Sequence, residues 1–277
     1  MSLDAYEQVK IARSNDRPTS KKYIHYLFED FFPLAGDRRY KDDKAVLGGI
    51  GLFNGIACTV IGLEKGVDTP DRLERNFGSA HPEGYRKALR LMKQAEKFGR
   101  PVICFVDTSG AYCGIGAEER GQGEAIAQNL MEMMTLNTCV LTILIGEGGS
   151  GGALALAVAD EVWMMENSVY SVISPEGCAS ILWKDPSKVK EAANSLKLTA
   201  EDLLEYSVIE KIIPFGEKEG AGSIKEKKDL ENPDPLNENE AHIFAPIKSD
   251  IADFLQRKGG LSREELVEQR YQRFRKF

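Results

Sequence analysis

A glycine-rich segment in the middle of the chain has the residue types and spacing that could do chemistry. The seven residues from Gly146 to Gly152 include five glycines, and they separate a strand-like apolar run from a helix-like run of small residues. Glycine lets backbone N–H groups approach a ligand closely, and the first turn of a helix adds N–H groups without an intrahelical partner. Such a segment can hold a phosphate or an oxyanion formed during a reaction. Tight packing of helix on strand, without any ligand, is the structural alternative.

Three kinds of anion site compete for this segment. A P-loop is excluded, because glycine and alanine follow Gly151 where lysine and serine or threonine are required. A dinucleotide fingerprint, Gly-x-Gly-x-x-Gly, matches at Gly146, Gly148 and Gly151. Glu166 follows at a predicted strand end and is placed to bind a ribose. A turn that binds an oxyanion fits the same residues, so the segment alone leaves these two interpretations open.

The elements around the segment follow the order of an α/β protein. The Asn54-Gly55 pair between two strand-like runs predicts a β-hairpin. Buried single strands that alternate with helices predict right-handed crossovers and a largely parallel sheet. The predicted strands are 45–50, 55–61, 101–106, 140–145, 161–165 and 209–213; the predicted helices are 20–32, 82–98, one that includes 126–134, 153–159, 175–183, one from Thr199, one around 247–255 and one from Ser262.

Composition shifts along the chain predict its domain organisation. Residues 1–215 are expected to form one large α/β domain that includes an N-terminal helix. Residues 216–241 are rich in Gly, Glu, Lys, Asn and Pro and predict a flexible linker. Residues 242–277 predict a C-terminal helical segment that packs on the domain or on a partner.

The net charge and the cysteines restrict the class of protein. A formal net charge of -7 argues against binding to nucleic acid or to an anionic membrane. The polar N-terminus and the short apolar runs predict no signal peptide and no membrane span, so we expect a cytoplasmic protein. The five cysteines include no zinc-knuckle spacing, and we expect reduced thiols of which only Cys113 is exposed. No metal site is expected in this chain.

Several longer blocks resemble the alpha subunits of bacterial-type carboxyltransferases of acetyl-CoA carboxylase. They keep the order and spacing of that family over about residues 17–214, and several long motifs together are highly specific. The blocks are 36–38, 75–78, 82–90, 107–122, 146–153 and 170–184.

The resemblance implies a crotonase-like (ClpP/crotonase) fold of repeated β-β-α units, followed by C-terminal helices. It implies a partner, a beta subunit of the same fold that carries a zinc ribbon, in an alpha2-beta2 assembly with the active site between the subunits. A biotin carboxyl carrier protein and a biotin carboxylase complete such an enzyme, which forms malonyl-CoA from acetyl-CoA for fatty acid synthesis. Biotin belongs to the carrier, because this chain has no lysine in a Met-Lys-Met setting.

The resemblance also assigns roles to individual residues. The N–H groups of Gly151 and Gly152, at a helix start, are the first choice for an oxyanion hole. The N–H groups of Gly110, Ala111 and Gly114 are the second choice. Ser150 in the same turn is not expected to act as a nucleophile, because no base accompanies it in the sequence.

Three cations, Lys65, Arg72 and Arg75, are candidate contacts for coenzyme A phosphates, and a solvated surface is the alternative for them. The chain also departs from the family pattern at four positions. Ser109 and Cys113 stand where the family usually has proline, and Leu63 and Val67 stand where it usually has histidine and arginine; these departures leave open a catalytically weak paralogue that serves as an assembly partner.

Overall fold

The computed structural model describes residues 3–215 and 238–277, with side chains from 243 onwards in the second range. Within these ranges, eight strands form one sheet, in which β7 pairs with β5 but lies outside the main strand order. The sheet order is β1-β2-β3-β4-β5-β6-β8. The strands are β1 (Glu29–Pro33), β2 (Val46–Phe53), β3 (Ile56–Leu63), β4 (Val102–Thr108), β5 (Val140–Gly149), β6 (Glu161–Met165), β7 (Val169–Ser171) and β8 (Lys211–Ile213).

Helices cover both faces of this sheet in the described ranges. They are α1 (Ala5–Arg13), α2 (Ser20–Leu27), α3 (Thr69–Glu74), α4 (Pro82–Phe98), α5 (Ile115–Glu119), α6 (Gln122–Met134), α7 (Ser150–Leu154), α8 (Pro175–Cys178), α9 (Val189–Leu196), α10 (Ala200–Glu205), α11 (Glu238–Gly259) and α12 (Arg263–Phe274). The β1–β2 and β2–β3 pairs are antiparallel, and the other pairs are parallel. The predicted α/β class with a largely parallel sheet is therefore confirmed.

Alternate residues of the central strands pack into two separate cores. On one face, Cys104 and Val106 of β4 join Leu91 and Met92 of α4 in a buried cluster. On the other face, Phe105 of β4 lies in a cluster that also holds apolar residues of α2 and α11. This alternation is the period-two pattern of a strand that is buried on both sides.

The helix predicted over 20–32 was too long. Helix α2 ends at Leu27, and Phe28 already has extended dihedral angles. Residues 29–33 form β1 instead, because their backbone groups pair with the edge of β2 across an irregular register. Tyr23, Leu27, Phe28 and Phe31 have helical spacing in the sequence, but only the first two belong to the helix.

The boundary of the glycine-rich segment was also wrong. Strand β5 does not end at Ile145 but continues to Gly149, because β7 pairs with its last three residues and Thr108 pairs with Gly148. Helix α7 begins at Ser150 and ends after five residues, whereas the sequence predicted a helix over 153–159. The helix predicted through Trp183 is likewise split into the short α8 and a π-helical turn.

The pairing of β4 with β5 is irregular at the same end. Val106 pairs with Leu144, and the next pair joins Thr108 to Gly148, so β5 uses two more residues than β4 between these pairs. Irregularities of this kind bend a strand and re-aim its side chains, and they are frequent next to active sites.

Helix α11 packs on the face of the sheet that carries Phe105, and α12 lies near the start of β5. Helix α12 begins after Ser262, as predicted, and Ser262 and Glu265 form a capping box at its start. The Arg270 side chain is fully buried and donates to both oxygens of Asp160, as well as to the carbonyl groups of Met133, Leu136 and Thr138. The proposed division into domain, linker and C-terminal segment stays a prediction, since most of 216–241 lies outside the described residues.

Candidate active site

The glycine-rich segment and the loop after β4 are in direct backbone contact. A Cβ added at Gly152 would lie 2.5 Å from the Ala111 nitrogen and 2.9 Å from the Tyr85 hydroxyl. A Cβ added at Gly149 would meet the Ser109 carbonyl and lie 2.8 Å from the nitrogen of the next residue. Any side chain at these two positions would push the segments apart. The first-choice and second-choice candidates for oxyanion binding are therefore neighbours, at the carboxyl ends of adjacent parallel strands.

The candidate N–H donors differ in how far they are already engaged. Gly151 and Gly152 are the second and third residues of α7, so their N–H groups have no partner within the helix. The Gly110 N–H donates to the Thr108 hydroxyl at 3.1 Å. Gly114 precedes α5 and packs against the Tyr112 ring. Within the described part of the chain, Gly110 is the candidate donor whose N–H is already engaged.

Ser150 joins β5 to α7 in a left-handed conformation, with φ of 50°. Its side chain is exposed, and no hydrogen bond from its hydroxyl is present within the ranges that the structure describes. His81, the histidine nearest in sequence to the loop after β4, stacks on Tyr112 with 4.1 Å between ring centroids and contacts the Asn76 amide at 3.2 Å. The geometry gives Ser150 no described base.

A network of charged side chains lies beside the glycine-rich segment. Asp107 is the buried, next-to-last residue of β4, and its carboxylate accepts the N–H of Glu147 at 2.9 Å. Lys65 bridges the carboxylates of Asp107 at 2.8 Å and Glu147 at 2.9 Å. Arg17 approaches Asp107 at 3.1 Å, and Arg13 approaches Glu147 at 2.7 Å. Helix α1 and the residues that follow it therefore belong to the wall of the site.

The electrostatic balance of this network favours ionised Asp107. Burial alone would raise the pKa of this carboxyl, but the charges of Lys65 and Arg17, with hydrogen bonds from Lys65 and the Glu147 N–H, lower it below its usual value of 3.8. Buried carboxylates with such partners stay charged in the neutral pH range.

Two adjacent clefts open at this end of the sheet. The larger has a volume of about 190 Å³, and its walls include Arg17, Lys65, Arg72 and Asp107. The smaller, about 60 Å³, lies along 148–150 and has apolar walls from α1, β7 and the region before α8. Ser109, Arg13 and Glu147 line both clefts, so the two form one continuous site.

The three predicted cations have different surroundings. Lys65 and Arg72 line the larger cleft, but Lys65 is held by two carboxylates. The Arg72 Nε donates to the Gly66 carbonyl at 3.2 Å, and Arg72 forms no ion pair among the described residues. Arg75 lies outside both clefts, where it pairs with Asp71 at 2.6 Å and donates to a backbone carbonyl. The structure thus brings two of the three cations to the site.

Sequence reasoning missed Arg13, Arg17, Asp107 and Glu147 as site residues. The available signals were the position of Asp107 at the end of a buried strand and the acid within a run of glycines. The two arginines contact residues 90 to 134 positions away in the sequence, and no local pattern reports such contacts.

Comparison with known proteins places the chain in a family. A family model described as "Acetyl co-enzyme A carboxylase carboxyltransferase-like" matches residues 1–277. The acetyl-coenzyme A carboxylase carboxyl transferase subunit alpha of Ruminiclostridium cellulolyticum is 64% identical over 230 residues, which cover 83% of this chain and 87% of that protein. The chain belongs to this carboxyltransferase family, among the alpha subunits.

A fused relative and a solved structure extend the comparison. The carboxyl transferase subunits beta/alpha protein of Clostridium tetani is 50% identical over 273 residues, which cover 99% of this chain and 45% of that protein. The transcarboxylase 12S structure, with methylmalonyl-coenzyme A and methylmalonic acid bound, superposes with a TM-score of 0.68 at 14% identity and covers 90% of this chain and 42% of that one. This likeness confirms the crotonase-like fold of the carboxyltransferase chain.

The dinucleotide interpretation of the glycine-rich segment finds no support in the structure. Gly146 and Gly148 lie inside β5, not in a loop before a helix. A Cβ at Gly146 would lie 2.5 Å from the Arg17 Nη1 and the Asp107 Oδ1, and one at Gly148 would collide with Leu144. Internal packing therefore accounts for these two glycines without a nucleotide.

Other expectations concern metals, membranes and thiols. Among the described residues, no group of three or more His, Cys, Asp or Glu side chains is arranged to hold a metal ion. No helix in the described ranges has an apolar stretch long enough to cross a membrane. Cys113 is exposed and the other four thiols are buried, as predicted.

Proposed function

We propose that the chain forms half of a carboxyltransferase active site that moves a carboxyl group from carboxybiotin, presented by a carrier protein, to acetyl-CoA. The observation that carries the proposal is the contact between two glycine-containing backbone segments at the ends of β4 and β5, within a chain of this family. Their free N–H groups suit a reaction in which negative charge develops on oxygen and no side-chain nucleophile is required.

The N–H groups of Gly151 and Gly152 are the proposed donors to that charge, with the Ala111 N–H as the neighbouring second choice. Carboxybiotin supplies the carboxyl group, and an oxyanion develops on the ureido or thioester oxygen as the group leaves or is accepted. Loss of one such preorganised donor typically raises a reaction barrier by about 2.7–4 kcal/mol. Gly110 and Gly114 are weaker choices: the Gly110 N–H already has a partner, and Gly114 packs against the Tyr112 ring.

Arg72 is the proposed contact for a phosphate of coenzyme A. It lines the larger cleft and has no carboxylate partner within the described part of the chain. Lys65 is proposed to act through its two carboxylates, and Arg75 to hold the segment around α3, since both are already paired.

A beta subunit is the proposed partner that completes the site. Val172, Ile181 and Leu182 lie just after β7 and on the π-helical turn after α8, and they are 76%, 65% and 71% exposed. Clustered exposed apolar side chains beside a cleft are typical of a protein interface. The fused protein of Clostridium tetani supports this partnership, since its name joins a beta and an alpha subunit in one chain.

The proposal also includes the other subunits of the complex. We infer an alpha2-beta2 carboxyltransferase with a zinc ribbon on the beta subunit, assembled with a biotin carboxyl carrier protein and a biotin carboxylase. The product is malonyl-CoA for fatty acid synthesis in the cytoplasm. No nucleic acid or membrane partner is proposed for the chain.

Co-expression with a beta subunit tests the proposal. The purified complex should convert acetyl-CoA and carboxybiotin to malonyl-CoA, and it should decarboxylate malonyl-CoA when biotin is added. The chain alone should do neither, because it supplies only one of the two halves. Turnover by the isolated chain would contradict the proposal, and a complex that assembles without turnover would favour the weak paralogue suggested by Leu63, Val67, Ser109 and Cys113.

A further inference from the structure

Arg17 lies in the segment after α1, and its guanidinium is inserted beneath the end of β5. It donates to the Ile145 carbonyl in that strand, to the carbonyls of Ile11 and Ala12 in α1, and to the carboxylate of Asp107 at 3.1 Å. The side chain is only 10% exposed. All described hydrogen bonds of its guanidinium are therefore internal, and the residue lines the larger cleft.

The lack of a side chain at Gly146 leaves room for the Arg17 guanidinium under β5. A Cβ at that position would lie 2.5 Å from the Arg17 Nη1 and equally close to the Asp107 Oδ1. Glycine is required there because the backbone of β5 passes directly over the arginine–aspartate pair. Helix packing alone would not require glycine at this point of the strand.

Asp107 connects Arg17 to the backbone that precedes the oxyanion donors. Its Oδ1 accepts the N–H of Glu147 at 2.9 Å, and its Oδ2 receives Arg17. Only Gly148 and Gly149 separate Glu147 from the first residue of α7. A shift of the pair would thus be passed along three residues of backbone to the N–H groups of the turn.

We infer that Arg17 is a positioning residue of the carboxyltransferase site, which fixes the end of β5 through Ile145 and Asp107 so that the N–H groups of Gly151 and Gly152 keep their direction. The inference rests on the proposed function, because it assigns those N–H groups a role in turnover. The segment after α1 would then contribute to turnover as well as to packing.

Arg17→Ala in the complex with the beta subunit tests the inference. We expect kcat for malonyl-CoA formation to fall by about 10- to 100-fold, the loss that a small misplacement of reacting groups produces. KM for acetyl-CoA should change by less than about twofold, since the variant removes no proposed substrate contact. Guanidinium chloride at millimolar concentration should restore part of kcat by occupying the vacated space.

Arg270→Ala is the matched control, because Arg270 is another buried arginine that pairs with an aspartate beside β5, at the opposite end. Its complex should lose thermal stability but keep the wild-type kcat at a temperature where it is folded. If Arg17→Ala does not fold, Asp107→Asn keeps the volume of the pair and should show the same loss of kcat at unchanged KM.

The outcomes separate the inference from the function on which it rests. Wild-type kcat in a folded Arg17→Ala or Asp107→Asn complex would overturn the inference while the carboxyltransferase activity stands. An equal loss of kcat in Arg270→Ala would overturn it too, because the effect would then be general destabilisation. A wild-type complex that forms no malonyl-CoA would refute both.

Discussion

The two ends of β5 are held by the same arrangement in different surroundings. At its start, Arg270 donates to Asp160 at 2.9 and 3.0 Å, and the Asp160 carboxylate accepts the N–H of Val140 at 2.7 Å. Both side chains of this pair are at most 1% exposed. The remaining guanidinium hydrogens meet backbone carbonyls, so this end of the strand is closed to ligands.

At its other end, Arg17 and Asp107 repeat the pattern, and Asp107 accepts the N–H of Glu147. Here a third charge, Lys65, joins the aspartate, and the group forms part of the wall of the 190 Å³ cleft. An arginine–aspartate pair whose carboxylate accepts a strand N–H can therefore stabilise the strand or orient a neighbouring site. Its role depends on whether a cleft adjoins it, as ligand sites do at the carboxyl ends of parallel strands.

The largest effect on stability is expected from removing Arg270, at the buried start of β5. Arg270→Met leaves Asp160 buried without its cation, and such changes typically destabilise a protein by about 3–5 kcal/mol. Chemical denaturation of the purified variant measures the loss. A decrease below about 1 kcal/mol, the scale of an exposed ion pair, would show that this pair contributes little and that the comparison fails.

Gly152→Val should give the next largest effect, a loss of turnover, at the open end of β5, which adjoins the larger cleft. Its side chain would press on the Ala111 nitrogen and tilt the N–H groups of the turn, so turnover should fall by about 100-fold or more, as when one oxyanion donor is lost. Steady-state kinetics of the complex with the beta subunit measure this. An unchanged Tm and intact assembly are the required controls, since the same side chain could separate the two loops.

A smaller effect, dependent on pH, is expected at Glu64, which follows β3 at the open end. Burial raises the pKa of this carboxyl above 4.5, even though the N–H groups of Lys21 and Gly66 donate to it. The folded state then binds a proton more tightly than the unfolded state, so the contribution of Glu64 to stability is lost as pH rises through its raised pKa.

Glu64→Gln removes this dependence. The free energy of unfolding of the variant, relative to wild type, should therefore increase from about pH 5 to pH 8. Urea denaturation at several pH values measures it. A relative stability that stays constant over this range would mean that the pKa of Glu64 is not raised in the folded chain.

The smallest effect is expected from Ser150→Ala. The exposed hydroxyl has no described partner, so turnover should change by less than about threefold, the size of an ordinary surface substitution. Comparison with Gly152→Val in the same turn separates backbone from side-chain chemistry. Loss of activity in Ser150→Ala with retention in Gly152→Val would replace the oxyanion proposal by a serine nucleophile.

Local sequence signals predicted the elements that are stabilised by local interactions. Helix α4 begins at Pro82 and ends before Gly99, which has the left-handed conformation expected of a helix stop. Asn54 and Gly55 both have positive φ, as the predicted hairpin requires. In both cases a residue type restricts its own backbone, so the sequence is informative without knowledge of the fold.

The sequence was less informative where partners are distant. Helix α1 was missed because small or polar residues, such as Ala5, Gln8 and Ala12, make up most of its buried face. The length of β5 was misjudged because pairing with β4 and β7 extends it through glycines that disfavour a strand. The glycines of the candidate site could be located from the sequence, whereas the charged residues that support them could not.

The unequal lengths of β4 and β5 have a consequence for the site. Two additional residues in extended form correspond to about 6.6 Å of strand, so β5 cannot lie flat against its neighbour between Leu144 and Gly148. Regular pairing with β4 is interrupted there, and the Ile145 carbonyl and the Glu147 N–H bond to the side chains of Arg17 and Asp107. A chain shortened by two residues here would form a flatter and better paired sheet, but it would lose the opening in which the guanidinium sits. The irregular pairing of β4 with β5 therefore provides the backbone groups that Arg17 and Asp107 bind.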